Sequence, residues 1–334
     1  MRVDWETKTL VDCGRPSKTE EYIWQLVVGS DKKLYGCTYP NAKLVRYNPV
    51  TGKGEDLGRM SPTEEYNSFI AASADGFIYS GIGFKIDIAA YQIASGQSRS
   101  ILPALRRAAG RQLPSHGECV EVYNGADGHA IASVDGVWAR LDGWNATNAT
   151  QSQIEKDPRL AGGLMLADGN HVHYDGRAVT ICEGSRLTPG GSCKQTNQTH
   201  ALSPPYSGRE QNIFRIGIGP DGLLYGGTAL PIHVFHVDPN STNTTAWANI
   251  DHGATNAFGG GEFYSFLAWK DVLLGAAYHG HSPIMAYRPG QPWKPGVEAS
   301  SNPRHIHFPE ANYPAASSGW RPKASECSNV RLGL

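Results

Sequence analysis

The chain has 334 residues, with 39 Gly, 21 Pro and 18% charged side chains, a composition suited to a turn-rich all-β protein. Its 30 basic and 31 acidic side chains leave a net charge of −1, which gives nucleic-acid binding no electrostatic support. No apolar run reaches membrane-spanning length, so neither nucleic acid nor membrane is expected as a partner.

Residues 1–15 read as an orphan strand. VDWETKTLVDCG matches the outer-strand segment YNPVTGKGEDLG at 47–58, so the chain is expected to open inside a truncated blade. Met1-Arg-Val-Asp-Trp lacks the apolar core of a signal peptide. From residue 16 to 300 a single unit recurs. Tyr22–Gly58 gives an apolar strand, a turn at Asp31, an LYG strand, a Thr-Tyr-Pro loop and a KLVRYNP strand. Tyr66–Leu102 repeats that order with SADGFIYSGIGF and IAAYQIASGQ, and KTEEY before the first unit matches PTEEY before the second. Ala104–Gly110 is expected to make one or two helical turns. Cys119–Leu141 and Gly163–Ile181 are worn copies that keep an Ala-Asp-Gly turn, Gln211–Asn249 is a full copy, and Phe263–Pro289 is the sixth.

The turn positions Asp31, Asp75, Asp127, Asp168, Asp221 and Lys270 are spaced by 44, 52, 41, 53 and 49 residues. Several short strands per unit at a period of roughly 40–50 residues indicate a β-propeller of four-stranded blades. Six repeats plus the orphan strand point to an incomplete seven-bladed type, with residues 301–334 as a poorly ordered tail. A β-sandwich with coincidental Asp-Gly turns is the alternative, and the recurrence of LYG, IYS and LYG after the turn argues against it.

Five sequons, at Asn145, Asn148, Asn197, Asn240 and Asn243, are placed in inter-strand loops. Cys182 and Cys193 bracket a Gly/Pro/Ser loop short enough for a local disulfide, whereas Cys37 and Cys119 read as buried thiols. Together these lead us to expect a secreted, extracellular, monomeric glycoprotein.

Propeller loops that enter first strands, and those that join second to third strands, share one face, where sites gather. The register sends Tyr22, Trp24, Tyr39, Lys43, Arg215, His233, Tyr264 and His279 there, together with Glu20, Glu21, Glu64, Glu65, Tyr66, Lys85, His116, Glu118, Arg209, Glu210, Glu262 and His281. Such a set suits β-elimination beside a uronic acid. An arginine or metal neutralises the carboxylate, and a His or Tyr removes the adjacent proton. His233, Arg215 and Tyr264 are the catalytic candidates; Tyr22, Trp24, Tyr39, Lys43 and His279 are the substrate-binding ones. His233 reads equally as a structural histidine, Arg215 as the partner of a Glu, and Tyr22, Trp24 and Tyr264 as blade-packing aromatics. The pairs His279/His281 and His171/His173 need further ligands to hold a metal, so no cofactor is expected, although a carboxylate-neutralising cation such as calcium is compatible.

GPDGLLYGGT, TYPNAKLVRYNPVTGK, GEFYSFLAWK and YRPGQPWKPG with SNPR resemble the repeats of secreted seven-bladed propeller polysaccharide lyases. Fungal L-rhamnose-α-1,4-D-glucuronate lyases are the nearest and ulvan lyases next, over about residues 16–304. The resemblance implies a carbohydrate-active lyase acting on a uronic-acid-containing glycan, and it carries over no catalytic position. A non-catalytic glycan- or protein-binding propeller, an inactive relic, and a metal-dependent lactonase-like hydrolase are the alternatives.

Overall fold

The computed structural model describes residues 2–4, 9–11, 13–114, 120–125, 127–150, 164–174, 178–182, 195–201, 212–229, 233–241, 248–251, 263–277 and 284–306. The chain divides into two compact units, over residues 1–161 and 162–321.

In the first unit β1 (Arg2–Asp4) and β2 (Thr9–Val11) form an antiparallel two-stranded sheet. Residues 1–15, expected to be one orphan strand, thus hold two short paired strands. The first blade follows, as β3 (Tyr22–Val28), β4 (Leu34–Tyr39), β5 (Lys43–Asn48) and β6 (Lys53–Arg59). The second is β7 (Tyr66–Ala72), β8 (Phe77–Gly83), β9 (Asp87–Gln92) and β10 (Ser98–Ser100), trailed by the helix α1 (Leu102–Ala109). The third is β11 (Glu121–Asn124), β12 (Ala130–Val134), β13 (Val137–Asp142) and β14 (Asn145–Ala149).

The second unit holds three more blades. They are β15 (Leu164–Met165), β16 (His171–Tyr174), β17 (Ala178–Cys182) and β18 (Gln195–Ala201); β19 (Asn212–Ile218), β20 (Leu224–Ala229), β21 (His233–Val237) and β22 (Ala248–Asp251); and β23 (Phe263–Trp269), β24 (Val272–Ala277), β25 (Ile284–Tyr287) and β26 (Arg304–Ile306). Every one of these sheets is a four-stranded antiparallel meander in sequence order. The fold is thus all-β, built of the propeller blades that the repeat predicts.

A meander with two apolar faces must stack on its neighbours, and the cores lie between successive blades. Tyr35, Cys37 and Leu44 of the first blade pack against Ile70, Ile78, Ile82 and Tyr91 of the second. The opposite face of the second, with Phe69, Phe77, Tyr79 and Ile88, packs against Val122, Ala132 and Leu141 of the third, and α1 adds Leu105. Buried on both faces, β8 (FIYSGIG) carries no charged residue and lacks the apolar–polar alternation of a half-buried strand. In the second unit Val172 and Ile181 meet Ile213, Leu224 and Phe235, while Tyr225 and Val234 on the other face of that sheet meet Phe263, Leu273 and Tyr287. A fully buried Ile, Leu or Phe in such an interface contributes about 1.5–3 kcal/mol.

Polar side chains stitch the inner strands together. The Gln25 side-chain oxygen accepts from the Ile70 N–H and that of Asn124 from the Ala72 N–H, both at 2.9 Å.

The recurring Asp turn has a local cause. Carboxylates of Asp31, Asp127, Asp168 and Asp221 accept from the backbone N–H two residues on, at 3.3, 3.0, 2.9 and 3.2 Å. The tyrosine four residues after the turn then donates back, Tyr35 to Asp31 at 3.1 Å and Tyr225 to Asp221 at 2.7 Å. This pairing underlies the LYG recurrence. In the sixth unit Lys270 takes the turn with φ 53°.

Two further expectations need correction. Asn145, Asn148 and Asn197 lie on the outermost strands β14 and β18, not in loops, because those edge strands are built from polar residues. Arg304–Ile306 pairs with β25, so strand structure continues past residue 300. Cys182 is disulfide-bonded, but Cys193 and Cys119 fall outside the described residues. Cys37 is a fully buried free thiol, and α1 ends at Gly110, whose φ of 63° stops the helix.

Candidate functional site

The first two blades begin with the same motif, Ser17-Lys-Thr-Glu-Glu-Tyr22 and Ser61-Pro-Thr-Glu-Glu-Tyr66. Its first glutamate is buried in both copies and fastens the loop that joins the second and third strands. Glu20 accepts from the Thr38 hydroxyl at 2.6 Å, the Asn41 N–H at 3.1 Å and the Asn41 side-chain amide at 2.8 Å. Glu64 accepts from the backbone N–H groups of Phe84 at 2.8 Å and Lys85 at 3.1 Å, both on one oxygen. The Arg59 guanidinium ties the two loops together through the Ser61 carbonyl, the Asn41 side chain and the Glu64 carbonyl. The Ala42 N–H adds a 2.8 Å bond to the Glu65 carbonyl.

On this frame stands a cluster of partly exposed rings. Tyr22 and Tyr39 are directly opposed across β3 and β4, with centroids 6.0 Å apart. A β-bulge between Ile23 and Gln25 makes Trp24 the extra residue, which stacks on Tyr22 at 5.9 Å and on Tyr66 at 6.1 Å. Tyr39 lies 4.5 Å from Tyr66, and Phe84 meets Tyr66 edge-on at 4.9 Å. Five rings from two adjacent blades thus form one shelf.

Two exposed carboxylates, Glu21 and Glu65, border it. Burial pushes the Tyr39 hydroxyl pKa up, the Glu65 and Glu21 charges push it further, and the Tyr66 contact opposes them. Tyr39 therefore stays a phenol and hydrogen-bond donor at neutral pH. Lys85, half exposed, stands 3.8 Å from Glu64.

Of the substrate-binding candidates, Tyr22, Trp24 and Tyr39 come together in the shelf. Lys43 is held elsewhere: its ammonium reaches Asp56 on β6 at 2.6 Å. Burial would raise the Asp56 pKa, but the Lys43 and Ser17 hydrogen bonds bring it below the ordinary value. His279 lies outside the described residues. Tyr66, which the register already sends to this face, and Phe84 complete the shelf. Phe84 stands at the Pro40 position, one past that of Tyr39, so the repeat does not point to it.

The catalytic candidates all fall in the second unit. His233 is fully buried at the start of β21, opposite Thr228. Arg215, partly exposed, follows a bulge in β19 and pairs with Gly227, the next position along β20. Side chains at successive positions of a strand point to opposite faces, so the two do not share one. A Cβ on Gly227 would touch Phe263, which places the Arg215 face toward β23. There Tyr264 is the bulge residue between Phe263 and Ser265, the same place in its blade as Trp24, and it is partly exposed. The structure thus brings Arg215 and Tyr264 to facing strands and turns His233 to the other side. Among the described residues no three His, Cys, Asp or Glu side chains converge as a metal-binding group.

No protein-family model and no curated protein matches the sequence. Among solved structures, the chain is similar to the virginiamycin B lyase of Staphylococcus aureus, at 11% identity over 79% of this chain and 80% of that one, with a TM-score of 0.46. It is similar to the β-propeller domain of Myceliophteria thermophila Cps50 (Swd1), at 9% identity over 86% and 87%, with a TM-score of 0.46. The extracellular domain of a putative hybrid two-component system from B. thetaiotaomicron is 12% identical over 89% of this chain and 36% of that one, with a TM-score of 0.48. Neither an activity nor a ligand passes from these chains to this one.

Proposed function

We propose that this protein is a glycan-engaging β-propeller whose first two blades hold a sugar on the shelf of Tyr22, Trp24, Tyr39, Tyr66 and Phe84. The observation that carries this reading is the shelf itself: partly exposed rings held by loops that buried glutamates fasten. Aromatic rings present flat apolar faces, which suit the C–H faces of pyranoses, while phenol edges suit their hydroxyls. Titration with an oligosaccharide panel, followed by tryptophan fluorescence and calorimetry, tests it. Tyr39→Ala and Tyr66→Ala should each weaken sugar binding about tenfold or more without unfolding the chain. Unchanged affinities in both variants would remove the shelf from the account.

The catalytic form of the reading is β-elimination beside a uronic acid in an extracellular plant or algal glycan, supported by the resemblance to propeller polysaccharide lyases. Arg215 and Tyr264, on facing strands, favour it. The guanidinium would neutralise the uronate and stabilise the enolate as the adjacent proton passes to the Tyr264 oxygen, acting as phenolate. Collapse of the enolate would break the bond to the glycosidic oxygen and form the conjugated uronate, and the Tyr264 phenol would return its proton to the departing sugar oxygen. His233, buried on the opposite face, is given no part in the step. Appearance of conjugated-uronate absorbance on rhamnose-capped glucuronate glycans, and its loss in Arg215→Ala and Tyr264→Phe, is the assay. No absorbance change from the wild-type chain would leave a non-catalytic glycan binder.

A further inference from the structure

Charge decides which sugar suits the shelf. Of the positive groups around it, Lys43 pairs with Asp56 and Lys85 with the buried Glu64, while Arg15 donates to the Glu20 carbonyl and Arg59 to two carbonyls and the Asn41 side chain. Two of the four carboxylates of the motif, Glu20 and Glu64, are buried under their donors. The other two, Glu21 and Glu65, are exposed, and among the described residues no donor reaches either carboxylate. Both act on the Tyr39 hydroxyl, so they lie close enough to influence whatever rests on the rings. Their fixed place follows from the backbone, since the Glu21 N–H donates to the Tyr39 carbonyl and the Glu65 carbonyl accepts from Ala42, each at 2.8 Å.

Aromatic faces carry negative quadrupole charge and attract cations, and a carboxylate beside them adds to that attraction. A uronate on the same rings would meet repulsion from both glutamates. We propose that the shelf selects a glycan bearing protonated amines, a polymer of glucosamine type, over neutral and uronic-acid glycans. This rests on the glycan-binding reading of the shelf and names its ligand class. It leaves the Arg215–Tyr264 face, in the other unit, as a separate question.

The test uses the full chain with three hexasaccharides, of glucosamine, of N-acetylglucosamine and of glucuronic acid, titrated by calorimetry at a pH where the amine is protonated. Acetylation removes the charge and keeps the ring, so the first should bind about tenfold tighter than the second, and the third should bind weakest. Glu21→Gln with Glu65→Gln should erase about that tenfold advantage and leave N-acetylglucosamine affinity within about twofold. These positions are exposed, and an unchanged melting temperature checks that the variant is folded. Equal binding of the first two sugars would overturn the charge selection while the glycan reading stands. Tighter binding of the glucuronate hexamer would overturn it as well. If none of the three binds, both fail.

Discussion

The first and second blades carry the same opening motif, yet the two copies solve the same problem with different partners. In the first, Glu20 collects a hydroxyl, a side-chain amide and one backbone N–H. Isoleucine stands at the Thr38 position of the second blade, as Ile82, and Glu64 fastens its loop through two backbone N–H groups instead. The carboxylate is thus the fixed element and the loop the variable one, which lets one loop present Tyr39 and the other Phe84. A second pair of equivalent positions differs more sharply. Cys37 faces Gln25 across its ladder, and Gly81 faces Phe69 at the same register. Cys37 has room for a side chain, whereas a Cβ on Gly81 would sit 1.8 Å from the Val120 carbonyl. The strand entering the third blade passes directly over that glycine.

The largest effect should therefore come from Gly81→Ala. A backbone carbonyl cannot swing aside as a flexible side chain does, so the second and third blades must separate. About 3 kcal/mol or more of stability should be lost in urea unfolding. Cys37→Ala, which removes one buried sulfur and leaves a small void, should cost only about 1 kcal/mol. Similar losses for the two would show that the blades are not packed as closely as the glycine implies.

The glutamates give a finer contrast. In Glu64→Gln one amide oxygen can still accept both backbone N–H groups, so the loss should stay below about 1 kcal/mol. Glu20→Gln must turn an NH2 toward the Asn41 side-chain amide, and flipping Asn41 would forfeit its bond from Arg59. That variant should lose about 1–2 kcal/mol. Melting curves of both decide the matter, and a larger loss for Glu64→Gln would reverse the assignment of which loop depends on side chains.

These contrasts also mark how far the sequence could be read. The blades were legible because the Asp turn and the tyrosine four residues later leave a pattern of fixed spacing, and KTEEY with PTEEY fixed the register. The shelf was half legible. Tyr22, Trp24 and Tyr39 fall to one end of the blade by strand alternation and loop position alone. The register sends Tyr66 there as well, but its ring contacts with Trp24, Tyr39 and Phe84 depend on how the blades pack, which a repeat pattern does not contain. Strand alternation failed for Arg215 and His233, because a bulge at Phe214 shifts the pairing by one residue and sends them to opposite faces. Two outer strands, β14 and β18, read as loops in the sequence, since an edge strand such as NATNA carries no apolar alternation.

The buried tyrosines extend the comparison to high pH. Burial and the Asp31 carboxylate push the Tyr35 phenol up to about 12 against the pull of Arg46, and burial raises Tyr79 as well. The folded state holds these protons more tightly than the unfolded chain does. Their contribution is then complete below about pH 10 and is lost as pH rises through about 12. An unfolding transition in that window, accompanied by phenolate absorbance, is expected. Ionisation of these tyrosines near pH 10 in the folded chain would contradict it.

The smallest effects separate the same two tyrosines by their partners. Tyr35 donates to Asp31 within its own turn, whereas Tyr79 donates across to the Gly143 carbonyl of the third blade at 3.0 Å. Removing either hydroxyl should cost about 0.5–1.5 kcal/mol at neutral pH, too close to tell them apart. Acid does tell them apart. Burial tends to raise the Asp31 pKa, but hydrogen bonds from Lys33 and Tyr35 and the Lys33 charge bring it below the ordinary value. A carboxylate lowered in the folded state stabilises above its unfolded pKa of about 3.9, and that contribution fades as pH falls through the folded value. Tyr35→Phe takes away one of the bonds that lower it, so the stability lost by the variant should shrink as Asp31 protonates in both proteins. Tyr79→Phe removes a bond to a carbonyl, which does not titrate, and its deficit should stay constant from neutral pH down to about 3. Urea midpoints measured across that range give two curves relative to wild type, one converging and one parallel. Two parallel curves would mean that the turn aspartate does not depend on its tyrosine.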